Sequence, residues 1–178
     1  MIQIQVSVGD DILKRFGNQL AALGEGKART VIARALNHEG DKGRTQVKRV
    51  LVQQTGIKYG LINTAVKTIP ATAASLTYTI EARGDETNLN LFGARQGKRG
   101  VSAAPWNKRR VFKHSFVIPA YGGKVFVREG KARFPLKPLF GPNIARELVK
   151  DQSAEAFKAG AADIADRVAH EISRVLPG

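Results

Sequence analysis

The first eight residues set up an alternation: Ile2, Ile4, Val6 and Val8 are separated by Gln3, Gln5 and Ser7. A period of two predicts a half-buried strand. Gly9-Asp10-Asp11 ends it, an aspartate there can cap the next element, and a short helix is expected from about 11 to 22. From Lys27 to about Val52 the apolar spacing changes. Ala28, Val31, Ile32, Ala35 and Leu36 recur at the intervals of one helix face, continued by Gly40, Gly43, Val47, Val50 and Leu51. Gly40 and Gly43 are poor helix formers, so they mark either a kink or a close approach by another backbone, and close packing is the preferred reading. The opposite stripe holds Arg34, Asn37, Asp41, Arg44 and Lys48, which predicts a basic outer side.

Gly56 ends this helix, and residues 57–65 can add a turn or two. Strand patterns come next. VKTI (66–69) stops at Pro70, and SLTYTIEA (75–82) sets Leu76, Tyr78, Ile80 and Ala82 against polar positions. LNLF (89–92) reads as a further β segment. The stretch 92–101, with three glycines and three cations, reads as a mobile loop. RRVFKHSFVIP then predicts one strand with Phe112, His114, Phe116 and Ile118 on its apolar face. KVFVRE (124–129) is the next strand of an antiparallel meander. FPLKPLFGP (134–142) is a stiff extended connection. Gly141-Pro142 opens a helix to about Val149, with proline at its first position. A last helix is expected from about Ser153 to Leu176, with Phe157, Ala161, Ile164, Val168 and Ile172 inward. This order predicts one α+β domain over residues 1–178: a β-meander packed against a long helix and C-terminal helices.

Composition narrows the function. A chain of 178 residues, 43% hydrophobic, can bury a real core. It has no run of eighteen apolar residues, so no membrane span is expected, and no signal-peptide pattern opens it. The absence of cysteine excludes disulfides, thiolate nucleophiles and cysteine-bound metals.

Charge is the most uneven property. The net value is +14, but residues 95–137 alone carry +11 and residues 27–58 carry +6, while the other segments each sum to −1. Such a field favours anionic partners. Arg95, Lys98, Arg99, Trp106, Lys108, Arg109, Arg110 and Lys113 form the candidate contact strip, with Arg34, Arg44 and Lys48 as further candidates on the long helix. Cations with a neighbouring aromatic suit phosphate neutralisation and base stacking, and Trp and Arg also predominate at protein hot spots. Trp106 fits core and interface equally well. Replacing Lys108, Arg109 and Arg110 by alanine is expected to leave folding intact.

Catalytic chemistry is not evident. His38, His114 and His170 stand on different elements, with His114 expected at a core or rim position and His170 and Glu171 on a solvated face. GEGKAR (24–29) lacks the leading glycine and the Ser or Thr of a phosphate loop. No nucleophile elbow or metal-ligand spacing occurs, and no known nucleic-acid module fits. A non-enzymatic protein without cofactor or metal is expected.

Four stretches carry a resemblance: ARALNHEGDKGRTQVKRVLVQQTGIK (33–58), GVSAAPWNKRRVFKHSFVI (100–118), GGKVFVREGKARFPLKPLFGPNI (122–144) and VAHEISRVL (168–176). In order, they resemble the prophage minor tail protein Z family of long-tailed bacteriophages. The most specific piece is F-V-R-x-G-K-x-R-x-P-L-x-x-L-x-G-P at 126–142. The layout is also similar to HK97-type tail-completion or neck proteins. The resemblance implies a structural virion protein at the head-proximal end of the tail, present in the host cytoplasm during assembly. Implied partners are other tail and neck proteins, the phage DNA passing through the tail, and further copies in a homo-oligomeric ring. The rival reading from charge alone is a free-standing, non-specific nucleic-acid-binding protein.

Overall fold

The structure, a computed structural model, describes residues 2–176. It is a mixed α+β fold organised on one helix. This helix, α3, runs unbroken over Glu25–Thr55 and ends at Gly56, which adopts a left-handed conformation. At about 1.5 Å per residue its 31 residues extend to roughly 46 Å. Its apolar stripe is buried from Ala28 to Leu51 except at Val50, which is only half-buried. Gly40 and Gly43 lie inside it for the packing reason. A Cβ on Gly40 would sit 2.5 Å from the Tyr78 ring, and one on Gly43 would sit 2.7 Å from the Phe157 ring.

Before α3, β1 (Ile2–Ser7) alternates as its sequence predicts. The expected helix at 11–22 is two, α1 (Asp10–Arg15) and α2 (Gly17–Leu23), broken where Phe16 turns inward to 7% exposure. Gly9, not an aspartate, occupies the N-cap, and no side chain caps the helix.

After α3 the chain folds back through α4 (Tyr59–Ala65) and β2 (Val66–Ile69) to β3 (Thr77–Ala82). β3 is the centre of an antiparallel sheet in the order β1-β3-β2, with Ile4 opposite Ile80 and Val66 opposite Ala82. Its expected polar face is covered too, Thr79 and Glu81 being buried, because a central strand here has neighbours on every side.

This return path also covers part of the stripe expected to be the basic outer side of α3, while Arg34 and Asp41 stay exposed. Asn37 donates to the Ala71 carbonyl at 2.9 Å and accepts from its N–H at 2.7 Å. The Tyr78 hydroxyl donates to Asp41 at 2.7 Å. Arg44 pairs with Asp41 at 3.1 Å, and Lys48 donates to Asn63 at 2.7 Å. Lys48 is 7% exposed and Asn37 and Arg44 are half-buried, so this part of the stripe is a polar seam and not a free face. Burial, with Arg44 nearby, lowers the Lys48 ammonium pKa.

The middle of the chain forms two more three-stranded antiparallel sheets. LNLF is a 3₁₀ turn and not a strand, with the Asn88 side chain accepting from Asn90 N–H. The expected mobile loop is a hairpin, β4 (Arg95–Gly97) with β5 (Gly100–Ala103), extended by β6 (Arg110–Lys113). The expected single strand through His114 is two strands in two sheets, because His114 has φ +59°. β7 (Ser115–Ile118) pairs instead with β8 (Lys124–Arg128), and β8 with β9 (Leu136–Pro138) inside the expected extended connection.

Hydrogen bonds hold the reversal. His114 N–H donates to the Arg99 carbonyl at 3.2 Å. The Ser115 hydroxyl donates to Phe112 O at 2.6 Å and accepts from Val101 N–H at 2.9 Å. The alternation is inverted across it. Phe112 packs toward the core, but beyond His114 it is Ser115 and Val117 that turn inward.

The C-terminal helices are shorter than expected. α5 (Ile144–Leu148) begins after Pro142 and is capped by Asn143, which accepts from Arg146 N–H at 3.0 Å. The last helix divides into α6 (Asp151–Gly160) and α7 (Ile164–Ser173), and both pack on α3. Glu171 is 2% exposed and faces in, contrary to its solvated expectation, while His170 is exposed. Glu171 accepts from Arg167 at 2.5 Å.

Candidate interface

The register of the β4–β5–β6 sheet sorts the cationic strip. Gln96, Val101 and Phe112 stand in one cross-strand row, and Arg95, Ser102 and Val111 in the next. Val101 and Ala103 are fully buried, which fixes the inner face. Arg95, Val111 and Lys113 therefore share the outer face, and all three are exposed. Lys98 and Arg99 form the turn at its end. With Lys113 and His114 they border one surface depression. His114 is exposed there, not in the core.

Arg95, Lys98, Arg99, Lys108 and Lys113 are exposed, and no acidic side chain pairs with them among the described residues. Some cations elsewhere are neutralised: Lys42 by Glu39 at 2.9 Å, Lys150 by Glu147 at 2.6 Å and Arg146 by Glu86 at 3.1 Å. Like charges held close on one face repel, and an anionic partner removes that cost.

The other strip residues have different work. Arg109 donates to the Gly93 carbonyl at 3.3 Å and to the Ser102 hydroxyl at 3.0 Å, tying the hairpin to the preceding turn. Its removal therefore carries a structural cost that the Lys108, Arg109 and Arg110 triple shares. Arg110 lies over the Phe112 ring at 4.7 Å and near the Trp106 ring at 6.0 Å. Lys108 follows the 3₁₀ turn and is exposed to solvent.

Trp106 is at once anchor and surface. It is 36% exposed, and its indole N–H donates to Glu147 at 3.2 Å. Glu147 is buried to 4% and also accepts from Lys150 at 2.6 Å and from the Gln54 amide. Asn107 donates to the Gln53 carbonyl at 2.6 Å. The turn thus fastens the basic sheet to the end of α3. Sequence reasoning missed Glu147, for which Lys150 three residues on is the only cue to a partner.

The helix candidates do not join the strip. Arg34 is exposed, but it lies nineteen residues from the Gln53 anchor, about 28 Å along the helix. Arg44 and Lys48 belong to the covered seam described above. Among the described residues no group of three His, Asp or Glu side chains is placed to hold a metal ion, and no helix is long and apolar enough to cross a membrane. Comparison of the chain with protein-family models, with curated proteins and with solved structures returns no match.

Proposed function

We propose that this protein is a structural minor tail protein of a bacteriophage, acting at the head-proximal end of the tail in tail completion and head–tail joining. It works through contacts with other tail and neck proteins, with the DNA in the channel as a second contact and a homo-oligomeric ring as its arrangement in the virion. Two lines support this. One is the resemblance that extends from about residue 25 to the end of the chain. The other, which carries the proposal, is the outer face of the β4–β5–β6 sheet, where Arg95, Lys98, Arg99 and Lys113 stand without acidic partners. A rigid sheet presenting unpaired cations suits acidic neighbours better than catalysis.

The test is complementation in a phage that carries the gene. Disrupting the gene leaves heads and tails unjoined, and the wild-type protein restores joining. A variant with Arg95, Lys98, Arg99 and Lys113 all changed to alanine folds normally and does not restore it. Full infectious particles from the disrupted phage would end the tail reading. Complete rescue by the variant would remove the basic face from it.

A free-standing nucleic-acid-binding role is the second reading, favoured by the convergence of Lys98, Arg99 and Lys113 beside His114. Anisotropy of labelled duplex DNA between about 50 and 200 mM salt separates the two. Binding that persists at the upper salt with a steep log–log slope favours the second.

A further inference from the structure

The β7–β8–β9 sheet has an apolar face on its outside. Val125 is fully buried and Val117 packs on the core, so Phe116, Ile118, Phe126 and Leu136 lie on the opposite face by strand parity and register. These four are half-buried and none is part of the core cluster. Their outward position follows from the left-handed backbone of His114, which inverts the alternation that would otherwise bury Phe116.

The face is a groove with aromatic walls. Tyr121 sits 5.7 Å from the Phe126 ring and is 56% exposed, and Phe134 is 61% exposed. Arg128 lies over Phe116 at 4.8 Å and Arg133 over Phe134 at 5.7 Å. The rim is basic. Arg128 and Arg133 line it, neither has an acidic partner among the described residues, and Glu129 faces Lys137 at 4.0 Å. Exposed aromatic and apolar side chains gathered in one depression mark a binding surface, not a solvated one.

We propose that this groove docks an acidic protein segment carrying aromatic or aliphatic side chains. Its apolar floor takes the side chains and its arginine rim takes the carboxylates, two of which the planar guanidinium groups can receive in bidentate geometry. Nucleic acid fits less well. Of the rings lining the groove, Phe116 and Phe134 already carry a guanidinium on one face, which leaves Tyr121, and Ile118 and Leu136 offer no stacking surface. This groove is on a different sheet from the unpaired cations of β4–β5–β6, so the inference holds or fails independently of the tail reading.

The experiment is an amide and methyl NMR titration of the full chain with a synthetic peptide alternating Glu with Phe and Leu. The expected result is shifts centred on Phe116, Ile118 and Leu136, with affinity about tenfold or more above that of the same peptide with Gln for Glu. Arg128→Glu with Arg133→Glu should lose about tenfold. Tyr121→Ala with Phe134→Ala should lose as much while keeping a native spectrum, since both side chains are mostly exposed. No groove shifts at millimolar peptide, or equal binding of the Gln peptide, would overturn the proposal. So would duplex DNA or anionic phosphatidylserine vesicles perturbing the same residues more strongly than the peptide.

Discussion

Gly160 and Gly43 meet backbone to backbone: a Cβ on Gly160 would lie 2.5 Å from the Gly43 Cα and 2.9 Å from its nitrogen. The contact is a close approach of α6 to α3, and the rigid backbone on the far side cannot move aside as a side chain could. Gly160→Ala should therefore destabilise the fold by about 1–3 kcal/mol, the range for overpacking. Gly17→Ala, where the added atom meets nothing, serves as the control. Urea denaturation with unchanged m-values checks both.

Glu147 gathers three donors from three elements, so its loss should be felt beyond its own helix. Glu147→Ala leaves the Trp106 indole N–H and the Gln54 amide without their acceptor. The expected cost is about 1–3 kcal/mol. The chain's lone tryptophan reports it directly, and its emission should shift to the red as the turn loosens. An unshifted spectrum would mean that Pro105 and Asn107 alone hold the turn.

Acid stability should depend on Glu39. Burial works to raise the pKa of this carboxyl, yet hydrogen bonds from Lys42 and His38 outweigh it and hold the value below the ordinary one. A depressed folded-state pKa gives stability that is present above the unfolded value, about 4.3, and is lost as pH falls through the folded value. Wild type should thus lose stability below about pH 4.3 more steeply than Glu39→Gln. Thermal unfolding from pH 6 downward measures the two slopes.

Among the strip arginines, Arg109 should behave as a structural residue and Arg99 as a surface one. Arg109→Ala removes donors to Gly93 and Ser102 and should cost about 1 kcal/mol. Arg99→Ala should stay within about 0.5 kcal/mol of wild type. Only the second should lower the salt slope of any DNA binding without lowering the melting temperature. Equal stabilities for the two variants would show that Arg109's hydrogen bonds contribute nothing net.

Periodicity made β1 and α3 readable, because each has a buried side whose spacing repeats without interruption. Gly40 and Gly43 were readable for the same reason: a small residue in an apolar stripe implies something large opposite, here Tyr78 and Phe157. Local pattern failed where a single backbone angle changed the outcome. His114 sits in a flawless alternation, and nothing in its neighbours announces a positive φ in a residue with a side chain. It failed again where tertiary contact redefined a polar face. The stripe of Arg44 and Lys48 is polar in sequence and covered in space, because α4 and β2 return over it and supply Asn63 and Thr68 as partners. The cationic strip was legible as charge, but only the register separated the exposed Arg95 and Lys113 from the tethered Arg109.

The left-handed residue between β6 and β7 also acts as a partition. It divides one run of nine residues into two surfaces that can vary separately. Val111 and Lys113 face outward before it, Phe116 and Ile118 face outward after it, and the core residues Val101 and Val125 lie behind both surfaces. A scaffold built this way can exchange one neighbour without renegotiating the other. Lineages of such a chain should diverge at Lys113 and at Ile118 independently, while the turn between them stays fixed in shape.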